Sequence, residues 1–592
     1  MSFGKALLAS LLGTVLAIIC MVLLFVLLIV GSLLSGGKET PDVQANSVLH
    51  LDLNAAILER GLDQQGGLPA AFGGQDPGLG LDHFIEDVKR ATTDSNIQGI
   101  FIEMKGIVGA PSSMVDFRRA LEEFKSSGKW IVAYAEDFSQ GGYYISSVAN
   151  EVYLYPTGSM DWRGINAEIM FFKKMLDKLE IEAQVIRGPN NKFKSAVEPY
   201  IYDQMSDANR QQMESFISDV WNVMLDDIST SRNIDVASLN LMADSLSLVD
   251  PKQALASRML DGLKYRDEVI DIIKLKLGLD ATTKEDDMAF VSLRDYHASA
   301  DEDSKKKDQE VAVVYAVGAI ESGEGDDLTI GSDRIAAALR EARLDNDVKA
   351  IVLRVNSPGG SALASDVIWR ETMLIKQSGK PFYVSMGDYA ASGGYYISCA
   401  ADKIYANPST ITGSIGVFGI MPNMQKFLDN KIGLTFDRYE TNPHADLTSA
   451  VKPLDATEMR AMQTMVSTIY DDFLSKVANG RGKTVAEVDS IGQGRVWSGM
   501  DAKEIGLVDE MGNLEDCIKA AAAHAGLTEY EVVKLPALMD PFQKFVEDLT
   551  GQKQAQVLEK VFGPEYRMLE HARQFISMEG VQARLPFIMD IR

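Results

Sequence analysis

Short apolar runs alternate with helical patterns along most of this chain. IVLRV (351–355) and FYVSM (382–386), rich in Val, Ile and Tyr, predict strands. Between them, DVIWRETMLIKQ (366–377) fits a crossover helix. That order implies a parallel, layered α/β domain. The pattern breaks at SADEDSKKKDQE (299–310), a charged stretch with almost no apolar residues that predicts a linker. It breaks again near the start. Residues 6–37 carry no charge, and the apolar part, Leu7 to Val30, exceeds the about 20 residues a helix needs to cross a bilayer. A cleavable signal peptide has a shorter apolar region, about 7–15 residues, and a small-residue cleavage site. The run here ends GSLLSGGKET, so an uncleaved transmembrane helix is expected. Lys5 precedes the span, and Lys38 follows it beside Glu39 and Asp42, which favours a cytoplasmic amino terminus and an exported body.

The pattern is also written twice. IQGI (97–100), a helical stretch and SSGK (126–129) are matched by VKAI (348–351), a helical stretch and QSGK (377–380). GGYYIS recurs at 141–146 and 393–398, after one residue has been added to the second copy just before its glycines. SAVEP (195–199) faces SAVKP (449–453). A period this long means duplicated domains, not a solenoid. The expected organisation is an anchor over 1–40, a first repeat over 41–298, the linker 299–310, a second repeat over 311–540 and an extension over 541–592. In the extension, QAQVLEKVF and EYRMLEHARQFI read as amphipathic helices for packing or oligomerisation.

Composition removes several function classes. Asp and Glu number 84 against 58 Lys and Arg, a net charge of −26, which argues against nucleic acid as a partner. Cys20, Cys399 and Cys517 form no CxxC pair or Cys/His cluster, which excludes a disulfide-dense scaffold and speaks against structural zinc. His50, His83, His297, His444, His524 and His571 show no metal-ligand spacing. Two segments imitate a phosphate-binding loop. GPNNKFKS (188–195) has Phe193 where the second glycine belongs, and NGRGKT (479–484) has Val477 in place of the first. No metal or cofactor is expected.

Candidate chemistry lies in DYAASGGYYIS (388–398). Ser392 sits at a strand-to-helix turn among small residues, where its hydroxyl can meet a carbonyl and the Gly393 amide can stabilise negative charge. An ordinary serine helix cap is the other reading. NSPGGSA (356–362) offers Gly359 and Gly360 as further oxyanion donors, or forms a plain turn. Serine needs a base, and a lysine serves if burial keeps it neutral. Lys194, in KFKSAVEPY, is flanked by Phe193, Ala196 and Val197, although most lysines are exposed. The duplication relates these residues. Lys194 aligns with Thr448 of the second copy, and Ser392 falls where the first copy has Gln140 before its glycines. One copy keeps a lysine and the other a serine, as expected of an active site shared between duplicated domains.

VNSPGGS, SMGDYAASGGYYISCAADKIYANPSTITGSIGVFG, RVWSGMDAKEIGLVDEMG and KFKSAVEPYIYDQMS together resemble the signal peptide peptidase A family, in its long two-domain form. The resemblance covers about residues 1–540. It implies tandem crotonase/Clp-protease-like domains and a Ser/Lys dyad, with Ser392 as nucleophile and Lys194 as base. It places Ser414, in TITGSIG, beside the lysine amine. It further implies a homo-oligomer, a tetramer, whose body lies on the outer face of the bacterial cytoplasmic membrane. The substrates implied are cleaved signal-peptide remnants and other unstructured apolar peptides. Two other functions stand against this one: a crotonase-like acyl-CoA enzyme, against which the anchor speaks, and a non-catalytic membrane scaffold, which has no need of the dyad.

Overall fold

The computed structural model describes residues 41–61, 78–300, 307–539 and 581–584, together with Gly13, Thr14 and Met21. Apart from those three residues the expected membrane span lies outside the described residues, as do half of the linker and both expected helices of the extension. Among the described residues, no helix is long and apolar enough to cross a membrane.

Each repeat is built on a parallel sheet. In the first, strands Ser47–Leu58, Ile97–Val108, Trp130–Ala135 and Glu151–Leu154 pair side by side. In the second, Glu310–Val317, Val348–Ser357, Phe382–Ala391 and Lys403–Ala406 repeat that order, with Glu531–Leu535 on the edge. Helices cover both faces, so VAVVYA (311–316) can be apolar at every position and is buried throughout. The crossover helix after the second strand is Pro111–Ser126 in one repeat and Ala362–Ser378 in the other. Each repeat also carries a helix of 26 residues, Asp207–Arg232 and Ala456–Arg481. NGRGKT, one of the loop mimics, is the end of the second of these helices and its Gly482 cap.

Two of the junctions between the repeats frame the site. Buried Arg354 of the second meets Glu59 of the first at 2.6 Å, and Ser113 of the first gives its N–H and hydroxyl to Asp388 at 2.7 Å each. Asn356 links the two carboxylates, donating to Glu59 at 2.8 Å and Asp388 at 3.0 Å. Asp116, buried beside them, is pushed up to about 6 by desolvation, which nearby Arg354 only partly offsets. The second junction is a strand exchange. Glu182–Arg187 of the first repeat lies antiparallel against Phe418–Asn423 of the second, in register from Arg187 opposite Phe418 to Glu182 opposite Asn423. This strand belongs to a third sheet that also contains Ala319–Glu321, Thr329–Gly331, Gly359–Ser361 and, from the extension, Val581–Arg584. It delivers the segment that follows Arg187, including Lys194, onto the second repeat.

Candidate active site

Ser392 stands between the strand Phe382–Ala391 and the short helix Gly393–Ser398. Its backbone has φ 56° and ψ −110°, a conformation that costs a non-glycine residue about 1–3 kcal/mol. The surroundings hold it there. Its N–H donates to Gly413 O at 2.8 Å, and its carbonyl accepts from Tyr396 N at 2.9 Å. The side chain makes no helix cap. The tiny neighbours are a packing requirement: a Cβ on Gly393 would lie 2.7 Å from Ser365 Oγ, and one on Gly394 would lie 2.8 Å from Ser357 O.

Lys194 reaches this serine from the other repeat. Its Nζ lies 2.8 Å from Ser392 Oγ, across 198 residues of sequence. Ser414 contributes two further partners, its Oγ at 3.0 Å and its carbonyl at 3.1 Å. All three side chains are at most 2% exposed. Burial alone lowers the Lys194 amine from 10.5 to about 7, and no charge assists. At that value the amine is neutral for much of the time near neutral pH. A neutral amine has two N–H groups and one lone pair. The three neighbours match that set. Ser414 Oγ and O accept the two N–H groups, and the lone pair is left for the Ser392 hydroxyl. Ser414 Oγ in turn donates to Gly494 O at 3.3 Å.

The lysine loop is fixed by residues that pattern reading passed over. Gln212 Nε2 donates to Ser195 Oγ at 2.8 Å, and its Oε1 accepts from Val496 N of the second repeat at 3.2 Å. Buried Glu198 accepts from Ser206 Oγ at 2.5 Å and Asn209 Nδ2 at 2.9 Å. Gly494, at φ 77°, lets the backbone press against the lysine stem, since a Cβ there would lie 2.4 Å from Lys194 Cβ. These residues are polar or small, with no periodicity; the only trace in sequence was SAVEP beside its copy SAVKP.

The three candidate oxyanion glycines lie together. A Cβ on Gly393 would be 3.2 Å from the Gly360 nitrogen. Gly359, at φ 98°, already donates its N–H to Ser357 Oγ at 3.1 Å. His444 faces Glu458 at 3.3 Å and Asp455 at 3.5 Å in an exposed loop. Those three residues are close enough to hold a cation, but Lys452 Nζ already lies 2.8 Å from Glu458. The site as a whole offers a hydroxyl, a neutral amine to take its proton, and amides near the point of attack, the parts required for acyl transfer.

Comparison with known proteins places this geometry in context. The family model described as Peptidase family S49 matches residues 123–280 and 375–528. Protease 4 of Salmonella typhi is 35% identical over 561 residues, covering 92% of this chain and 89% of that protein. Protease 4 of Haemophilus influenzae is 36% identical over 513 residues, 84% of this chain and 82% of the relative. The chloroplastic serine protease SPPA of Arabidopsis thaliana is 29% identical over 560 residues, 92% of this chain and 78% of the relative. Among solved structures, ClpP1 from Listeria monocytogenes aligns over 35% of this chain and 94% of its own at 18% identity, with a TM-score of 0.22.

Proposed function

The chain belongs to peptidase family S49 and is a serine peptidase; from that membership we propose a membrane-anchored endopeptidase in which Ser392 is the nucleophile and Lys194 the general base. The observation that carries the assignment is the 2.8 Å Nζ–Oγ pair at an amine lowered to about 7. The Ser392 hydroxyl passes its proton to Lys194 Nζ as Oγ attacks a peptide carbonyl carbon. The oxygen of the tetrahedral intermediate takes hydrogen bonds from the Gly393 and Gly360 amides, since the Gly359 N–H is engaged by Ser357. Protonated Lys194 then gives its proton to the leaving amine. Water, deprotonated by the same amine, attacks the acyl-enzyme and releases the second product. Ser414 keeps the amine aimed at Ser392 throughout.

The substrates are unstructured apolar peptides such as signal-peptide remnants, the two repeats are crotonase/Clp-like domains, and the anchor over 1–40 holds the body on the outer face of the cytoplasmic membrane as part of a homo-oligomer. The sequence features that support this are the uncharged run Leu7–Val30 and the motif resemblance. The test is labelling with a serine-directed phosphonate, read by peptide mass mapping, alongside hydrolysis of an apolar peptide. Label on Ser392 with loss of hydrolysis is expected. Hydrolysis that persists in fully labelled protein, or label on another serine, overturns the assignment.

A further inference from the structure

The serine strand is irregular where it approaches the site. Its ladder with Val348–Ser357 runs evenly from Ile351 opposite Phe382 to Val355 opposite Met386, then resumes with Ser357 opposite Ala390. Between those pairs, Gly387, Asp388 and Tyr389 stand against Asn356 alone. This is a β-bulge, a local excess of residues that bends and re-aims a strand. It ends three residues before Ser392. On its two sides run the strand that leads to Gly359 and Gly360 and the strand that leads to Ser414.

Side chains take the place of the missing ladder bonds. Asn356 Oδ1 accepts the Tyr389 N–H at 3.1 Å, and its Nδ2 donates to Asp388 at 3.0 Å. The Thr410 hydroxyl donates to Gly387 O at 2.8 Å. Asp388 accepts the N–H and hydroxyl of Ser113 at the start of the helix Pro111–Ser126 in the first repeat. That N–H is one of the first-turn donors that a helix leaves unpaired. A side chain at Gly387 has no room, since a Cβ there would lie 2.9 Å from Glu59 Oε2.

The first repeat has the same strand without this arrangement. Its ladder reaches Met104 opposite Ala135, the counterparts of Val355 and Met386, and ends there. Lys105 stands in the place of Asn356 and pairs with Asp52 at the surface, at 2.7 Å. Asp137 stands in the place of Asp388 and binds Ser159 in an exposed turn. The bulge, Asn356 and its buried partners Glu59 and Asp388 thus occur together in the copy that carries the serine.

We propose that Asn356 and Asp388 are positioning residues for the nucleophile: Asn356 holds the bulge closed and Asp388 fastens it to the first repeat, so that the strand delivers Ser392 to Lys194. The inference rests on the peptidase reading of that pair. Both residues act through the backbone. A slip of one residue moves a strand by about 3.3 Å and turns every side chain to the other face. A misplacement of about 1 Å already costs about a hundredfold in rate.

The experiment separates aim from folding. A serine-directed phosphonate in excess is applied to the wild-type chain, to Asn356→Ala, Asp388→Asn and Ser113→Ala, and to the first-repeat control Lys105→Ala. The final amount of label on Ser392 counts folded sites, and the rate of labelling reports the aim of the hydroxyl. Asn356→Ala and Asp388→Asn should reach full label about a hundredfold more slowly, with kcat falling in parallel and KM within about twofold. The pH above which kcat/KM levels off should stay at about 7, because general loosening would wet the Lys194 amine and raise it. Ser113→Ala, which removes one hydrogen bond to Asp388, should slow labelling about tenfold. Lys105→Ala should label like the wild type. Labelling at the wild-type rate in Asn356→Ala or Asp388→Asn, whether the final label is full or partial, overturns the proposal. If those two proteins do not fold, Ser113→Ala decides, and a wild-type rate there overturns it. Failure of the peptidase reading is seen separately, as absence of label on Ser392 of the wild-type chain.

Discussion

The same turn is built twice in this molecule, and the two builds do different things. In the first repeat, DFSQGG folds as an ordinary helix start. Ser139 has φ −68° and accepts the Gly142 N–H at 3.1 Å, and Gln140 turns back to accept the Arg163 and Gly164 amides at 3.2 and 3.0 Å. In the second, DYAASGG contains one more residue. The strand continues to Ala391, Ser392 is forced to φ 56°, and its hydroxyl leaves the helix for the Lys194 amine. The partner loops diverge in the opposite sense. Lys194 is buried against the second repeat, whereas Thr448, its equivalent, lies exposed in a run of turns. Duplication thus allowed one copy of each element to relax into structure while the other kept a strained or desolvated group.

The strongest way to break this comparison is to remove either retained group. Ser392→Ala and Lys194→Ala should each lower kcat by about four to six powers of ten, and the double variant should be no worse, because the pair acts as a unit. Lys194→Arg should be equally inactive, since guanidinium does not deprotonate. Peptide hydrolysis rates for the four proteins decide it. Near wild-type activity in any single variant removes that residue from the dyad.

A second test sets the cost of the buried amine against its use. If the neutral amine is the base, kcat/KM should rise with pH and level off above about 7. Stability follows from the same shift. Between about 7 in the folded chain and 10.5 in the unfolded one, the unfolded chain binds a proton that the folded chain does not. Folding is therefore penalised in full below about 7, and the penalty fades as pH rises to 10.5. Lys194→Met, which keeps the length and loses the charge, should be inactive yet more stable by about 3–5 kcal/mol at pH 6. The gain should shrink towards zero by pH 10. Urea midpoints at the two pH values measure it, and a gap that does not narrow with pH contradicts a desolvated lysine.

Ser414→Ala probes the aim of the amine. It removes one of the two acceptors for the Lys194 N–H groups and leaves that donor without a partner, at about 1–3 kcal/mol. The expected effect is a ten- to hundredfold fall in kcat, with KM little changed. A change confined to KM would place Ser414 in substrate binding instead.

How much of this was legible in the sequence follows from the same comparison. The strands IVLRV and FYVSM and the crossover helix were readable because apolar periodicity is local. The Lys194–Ser392 pairing was readable because two copies could be subtracted from each other and because the motifs resemble a known family; neither motif alone outweighed a helix cap or a surface lysine. The scaffold of the lysine loop was not readable. Gln212 reaches Ser195 and Val496 across a fold that no local pattern encodes. The same holds for the strand exchange, where Glu182–Arg187 pairs outside its own repeat, and for Val581–Arg584, whose partners precede it by more than a hundred residues. Four residues acquire a strand when two waiting edges pair with them, and that information belongs to the edges.

The smallest expected effect concerns the relaxed copy. If the first turn is now only structure, Ser139→Ala should leave kcat and KM unchanged and act on stability alone. The hydroxyl accepts the Gly142 N–H at the start of a helix of 7 residues, and loss of such a cap costs about 1 kcal/mol. Ser392 does no such work, because its side chain accepts no helix N–H. Ser392→Ala should therefore cost less stability than Ser139→Ala while abolishing activity. Thermal unfolding of the two variants in parallel with the peptide assay tests the inversion. A Ser139→Ala protein of full stability would show that the cap is idle. A fall in its activity at unchanged stability would show that the first turn still serves the site, and that the two copies have diverged less than their backbones indicate.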